Sequence, residues 1–121
     1  MTETFRVGDM TIHRIVEQED PLFDPLEFFP TLTPERLEEN RAWLEPLALD
    51  PATGRLRLCI QSYVVRTPHR TILVDSCVGN GKNRPGRPFW HMKSDDRWMR
   101  GLAAAGLAVE DIDVVMCTHL H

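Results

Sequence analysis

Two short apolar runs constrain this chain more than any other feature. Thr71-Ile72-Leu73-Val74 ends at Asp75, and a second run is apolar at Ile112, Val114, Val115, Met116 and Cys117. Each is too short for a helix and reads as a strand. Between them lie a long irregular stretch, residues 76–93, and a helix pattern. Strand, loop, helix and strand in that order favour a parallel crossover of right hand. The second run is apolar on both parities, which predicts a strand buried on both faces inside a covered sheet.

The rest of the chain fills in a mixed sheet. Phe5-Arg6-Val7 and Met10-Thr11-Ile12 flank Gly8-Asp9, the pattern of a hairpin with a tight turn. Residues 19–34 hold Pro21, Pro25, Pro30 and Pro34 with Phe23, Phe28 and Phe29. Proline lacks an amide donor, so this stretch is expected to be an ordered loop pinned by aromatics, neither helix interior nor central strand. Thr33-Pro34-Glu35 starts a helix, with Leu37 and Leu44 on one face, and Pro46 ends it. Asp50-Pro51-Ala52-Thr53-Gly54 is turn chemistry. Leu56, Leu58 and Ile60 then alternate with Arg57, Cys59 and Gln61, a half-buried strand that continues through Tyr63-Val64-Val65. Ser94 is expected to cap a helix presenting Trp98, Leu102 and Ala105 on one face, with Gly106 at its end.

Composition excludes several functions. There are 14 basic and 18 acidic residues, for a net charge of −4, so no basic footprint for nucleic acid exists. No apolar run approaches the roughly 20 residues of a membrane span. The N-terminus has no basic region followed by an apolar one, so the cytoplasm is the expected location. Cys59, Cys77 and Cys117 are odd in number and widely spaced, which reads as reduced thiols rather than a disulfide framework. Gly79-Asn80-Gly81-Lys82 is not a phosphate loop. Ser76 stands where the first glycine is required, and Asn83 where Ser or Thr is.

The chemistry-bearing motif is His119-Leu120-His121, at the end of the second apolar run. In an extended chain residues i and i+2 point to one side, so two imidazoles there can chelate one metal ion. Zinc is the natural partner for neutral imidazole, with iron, manganese and nickel also compatible. Taken alone the triplet is equally compatible with an incidental or tag-derived pair. Cys117 shares its parity, but a small core side chain is the simpler reading of a cysteine in so apolar a strand. Asp75 is either a support for that site or a strand-end carboxylate capping backbone amides. Phe89 and Trp90 either line a substrate pocket or pack the loop onto the domain. Lys82, Arg84 and Arg87 form a solvated loop face able to steer an anionic substrate.

Asp111 through His121 resembles the approach to the His-x-His-x-Asp-His motif of the metallo-β-lactamase-fold hydrolases, and Thr71–Asp75 resembles the strand that precedes it. Tyr63-Val64-Val65-Arg66-Thr67 and Cys77-Val78-Gly79-Asn80 are similar to the lactonase-type branch, which includes quorum-quenching lactonases and methyl parathion hydrolase. Ser76-Cys77 departs from the Gly that many relatives carry two residues after the Asp.

The resemblance implies an α/β fold, the first half of an αβ/βα sandwich with a mixed sheet and flanking helices. It implies that residues 1–121 are the N-terminal half of such a domain, cut inside the motif. His119 and His121 would be two ligands of the first of two zinc ions, and Asp75 would orient the loop or a ligand from outside. Metal-bound hydroxide would then attack a lactone or related ester, a small-molecule substrate, in a protein that is a homodimer when intact. With the motif's Asp and third His absent, this chain itself is expected to be inactive. The alternative is a non-enzymatic half-domain or interaction fragment with at most weak metal binding.

Overall fold

The computed structural model describes residues 3–120. Strand β1 (Thr4–Val7) turns back into β2 (Met10–Phe23) through Gly8-Asp9, with Val7 opposite Met10 and Thr4 opposite His13. Gly8 sits at φ 62°, a left-handed conformation that a residue without Cβ adopts at little cost. β2 runs farther than the proline content predicts. It passes through Pro21 to Phe23, where an irregular loop is expected from sequence. Proline removes one donor but suits extended backbone, so it ends a strand only where that donor is needed. The Asp24 carboxylate accepts from the Leu26 amide at 2.8 Å and opens a one-turn helix, α1 (Pro25–Phe28). Phe28 packs against Phe23 and Phe29 with ring centroids 4.9 Å apart in each pair, the aromatic pinning that the sequence suggests.

Thr33 caps α2 (Pro34–Leu44) as expected, its hydroxyl accepting from the Arg36 amide at 3.2 Å. None of the residues of α2 is buried. Its surface is laced instead with short-range ion pairs, Arg36–Glu39, Arg41–Glu38 and Arg41–Glu45. Asp50 builds the following turn by accepting from the Thr53 amide and hydroxyl. β3 (Leu56–Arg66), β4 (Thr71–Val74), α3 (Arg97–Ala104), a 3₁₀ turn (Val109–Asp111) and β5 (Val114–Met116) complete the order.

The five strands form one sheet in the order β1-β2-β3-β4-β5. β3 and β4 are antiparallel, and β4 and β5 are parallel, with Ile72 opposite Val114 and Val74 opposite Met116. The mixed sheet and the parallel crossover are therefore as the sequence implies. The chain divides into two compact units, Met1–Gln18 with Ile60–His121, and Glu19–Cys59. In the first, Ile15, Val64, Leu73, Leu102 and Leu107 form a buried cluster, flanked by Trp98, Ala105 and Ile112. Gly101 explains how α3 reaches that cluster: a Cβ there would lie 3.0 Å from the Ile15 side chain. In the second unit Leu22, Leu49 and Leu56 are buried.

Two expectations are corrected. α3 begins at Arg97, not after Ser94; its N-cap is Asp96, and the Asp95 carboxylate accepts from the Arg97 amide at 3.1 Å. β5 is not buried on both faces. Val114, Val115 and Met116 are 42%, 60% and 51% exposed, because β5 lies at the end of the sheet and pairs only with β4 among the described residues. An apolar run signals what a strand can bury, not whether a covering layer lies on it. Among the described residues no helix is long and apolar enough to cross a membrane.

Candidate functional site

The C-terminal end of β5 lies beside the C-terminal end of β4, and one carboxylate joins them. The Asp75 amide donates to the Met116 carbonyl at 2.8 Å, continuing the parallel ladder by one bond. Asp75 itself turns into the left-handed region, φ 62°. That conformation costs a residue with a Cβ about 1–2 kcal/mol. In return its carboxylate reaches across to Thr118: Oδ1 accepts from the Thr118 amide at 2.8 Å and Oδ2 from the Thr118 hydroxyl at 2.6 Å. Asp75 thus satisfies a backbone donor, the capping role named from sequence, and its carboxylate also holds Thr118, the residue before His119.

The consequence reaches His119. Thr118 Oγ1 and His119 Nδ1 are 2.8 Å apart. A threonine hydroxyl has one hydrogen, and here Asp75 takes it. The Thr118 oxygen can therefore only accept from His119, which places the imidazole proton on Nδ1. In the neutral ring the lone pair is then on Nε2, the form that a metal ligand or a base needs. Thr118 is the residue that sequence reasoning missed. Its signal was present, a hydroxyl immediately before His-x-His, but its partner lies 43 positions away.

Asp75 and His119 are brought together through Thr118, whereas His121 lies outside the described residues. Phe89 and Trp90 belong to the 76–93 loop. They pack edge to face with centroids 5.1 Å apart, and the Trp90 indole donates to Gln18 Oε1 at 2.9 Å. Trp90 thus anchors the loop to β2, the packing role named from sequence, and borders a surface hollow.

A buried carboxylate fixes the start of that loop. Glu17, 1% exposed on β2, accepts from the Val78 and Gly79 amides at 3.2 Å each. Lys93, itself buried, lies 3.6 Å from Glu17 and 3.1 Å from Asp95, and donates to Asn80 Oδ1 at 3.0 Å. Burial works against the charged form of Asp95, but hydrogen bonds from the Arg97 amide and Lys93 hold its carboxyl below the usual value. Cys77 also lies at positive φ, 63°. Its thiol is 3.1 Å from the hydroxyl of fully buried Ser62, which also accepts from the Trp98 indole at 3.0 Å.

These residues do not complete a metal centre. Among the described residues no three His, Cys, Asp or Glu side chains converge to hold an ion. A catalytic zinc takes three protein ligands and an open position. The described strand end contributes one imidazole, exposed at the surface. The donor set as described does not fit the ion by itself.

Solved structures share this architecture. The hydrolase AbOPH of the beta lactamase superfamily aligns at TM-score 0.70 and 18% identity over 99% of this chain and 36% of its own. A probable metal-dependent hydrolase from Staphylococcus aureus aligns at 0.67 and 20% over 97% and 40%. AidC, a dizinc quorum-quenching lactonase, aligns at 0.67 and 19% over 99% and 36%. This chain spans roughly two fifths or less of the length of these structures. No curated protein matches it. The model of the metallo-beta-lactamase superfamily matches residues 60–121, just over half of the chain, and covers β4, the 76–93 loop, α3 and the His119 strand end. With the mixed sheet and the Asp75-supported strand end, that match shows that the chain belongs to the metallo-beta-lactamase superfamily.

Proposed function

We propose that this chain supplies the first metal-binding strand end of a zinc-dependent hydrolase of the lactonase-like, methyl parathion hydrolase-like branch, with a lactone or related ester as substrate. His119 and His121 are the proposed ligands from this chain, and the remaining ligands lie outside the described residues. The observation that carries the reading is the run of hydrogen bonds from Asp75 through Thr118 to His119. It orients one imidazole and fixes its tautomer, a cost in ordering that a merely surface histidine does not require. Membership of the superfamily and the likeness to hydrolases, one of them a dizinc lactonase, support the reaction class.

The test is hydrolysis of γ-decalactone and p-nitrophenyl acetate by the protein expressed from its complete coding sequence, before and after chelation and on zinc return. Activity that is lost with the metal and restored by zinc is the expected result. Absence of both bound metal and hydrolysis overturns the reading. For the 121-residue chain alone, the exposure of His119 favours weak binding that is catalytically silent. A submicromolar zinc dissociation constant, measured by calorimetric titration, contradicts that second statement.

A further inference from the structure

We propose that Glu17 is a positioning residue for the His119 imidazole, acting through the left-handed turn that runs from Asp75 to Gly79. The inference rests on the reading of His119 as the working imidazole, and its test reads neither metal nor turnover.

The turn is costly to form. φ is 62° at Asp75, 63° at Cys77, 77° at Gly79 and 67° at Gly81, so every second residue is left-handed. The two glycines adopt that conformation freely, whereas Asp75 and Cys77 carry a Cβ and adopt it against steric resistance. Such conformations persist only where surrounding bonds over-determine them. At its start the turn is tied to β5 by the bond from the Asp75 amide to the Met116 carbonyl. At its end the Val78 and Gly79 amides donate to Glu17, and neither donates to a backbone carbonyl among the described residues.

Glu17 takes each amide with a separate oxygen. Val78 N–H donates to Oε1 and Gly79 N–H to Oε2, at 3.2 Å each. The carboxylate is 1% exposed on β2, with Lys93 3.6 Å away, so it is a fixed point in the sheet and not a surface side chain. The Ser62 hydroxyl, 3.1 Å from the Cys77 thiol, is a second hold on the middle of the turn. Loss of Glu17 therefore loosens the turn without abolishing it.

The far end of the turn repeats the arrangement. Asp75 also uses its two oxygens separately, one for the Thr118 amide and one for the Thr118 hydroxyl. Where that carboxylate points is set by the left-handed backbone beneath it. Relaxation of Asp75 toward the ordinary regions swings its Cβ, and hydrogen bonds weaken steeply once misaligned. A Thr118 hydroxyl released from Asp75 is free to donate to His119 Nδ1, 2.8 Å away, which moves the ring proton to Nε2. Glu17 thus favours the form of His119 whose Nε2 lone pair is available.

The test measures the His119 tautomer ratio in long-range ¹H–¹⁵N spectra of the metal-free whole chain, recorded where the histidine is neutral, together with exchange of the Thr118 amide. Glu17→Ala should shift the ratio toward Nε2–H by about twofold or more and speed Thr118 exchange by a similar factor, because the Asp75–Thr118 bonds are made part of the time. Leu102→Ala, which opens a cavity in the buried cluster, should lower unfolding stability and leave the ratio at its wild-type value. If Glu17→Ala fails to fold, Glu17→Gln decides: it keeps the size and one of the two acceptors, and should move the ratio in the same direction. A wild-type ratio in the folded Glu17 variant, or an equal shift in Leu102→Ala, overturns the assignment. Neither result bears on the hydrolytic reading, which stands or falls on metal-dependent turnover.

Discussion

Replacing Thr118 by Val tests the order imposed on the His119 imidazole. Valine keeps the shape and leaves the Thr118 amide bonded to Asp75 Oδ1, but it deletes the hydroxyl between Asp75 and His119. Two bonds are lost. The bond to the carboxylate is charge-assisted, a class worth about 1.5–3 kcal/mol when buried. Thr118 is exposed and Asp75 half-buried, so water replaces much of it and about 1 kcal/mol of stability is the expected loss. The bond from His119 Nδ1–H is worth about 0.5–1.5 kcal/mol, which sets the tautomer preference. Its removal should change the Nδ1–H to Nε2–H ratio by roughly 2- to 12-fold, since about 1.4 kcal/mol is a factor of ten. Long-range ¹H–¹⁵N spectra of the ring, recorded where the histidine is neutral, report that ratio directly. Thr118→Ser restores the hydroxyl and should restore the ratio. Identical ¹⁵N shifts in the wild type and Thr118→Val would refute the argument that Asp75 fixes the tautomer through Thr118.

Four other outcomes follow from the packing. Glu17→Ala removes one of the two carboxylates beside buried Lys93 and the acceptor of two amides, and should cost about 1–3 kcal/mol in denaturant unfolding, with faster exchange of the Val78 and Gly79 amides; unchanged exchange there would contradict the anchoring role. Ser62→Ala strands the Trp98 indole N–H in the core and should cost about 1–3 kcal/mol by the same measurement. Leu102→Ala, at 1% exposure the centre of the α3 contact, should cost about 2–5 kcal/mol, and a loss under about 1 kcal/mol would show that α3 does not dock as described. Burial, and then the charge of Arg66, lower the His13 pKa below 6.5, so the unfolded chain binds the proton first. Stability should therefore fall as pH drops through about 6.5 and level off below the folded-state value, with a slope no greater than about 1.4 kcal/mol per pH unit. A His13→Asn variant whose urea midpoint falls as steeply between pH 7.5 and 5.5 would count against this.

Short-range rules made much of the fold legible. Turn and cap residues act on neighbours within a few positions, so Gly8, Thr33, Asp50 and Gly106 perform the roles their types suggest. Apolar runs located β3, β4 and β5, and the order of elements made the β4–β5 pair parallel. The same rules misjudged β2 through Pro21, because whether a missing N–H matters depends on which neighbour faces it. They misjudged β5 as well. Apolar composition records the burial a strand is suited to, and only the arrangement of layers decides whether that burial occurs.

By itself, the sequence determined the candidate chemistry: a strand ending in His-x-His, preceded by a strand ending in Asp75, in a chain of net charge −4. Tertiary structure alone decided how these pieces act on each other. Asp75 and Thr118 are 43 residues apart, Glu17 and the loop it pins 61 or 62, and Trp90 and Gln18 72. Hydrogen bonds discriminate at the scale of a few tenths of an ångström, and their partners are chosen by sheet register and helix docking. Nothing local in the chain encodes that the buried Arg84 Nε meets no acceptor among the described residues, while Lys93, nine positions on, pairs with Glu17 and Asp95.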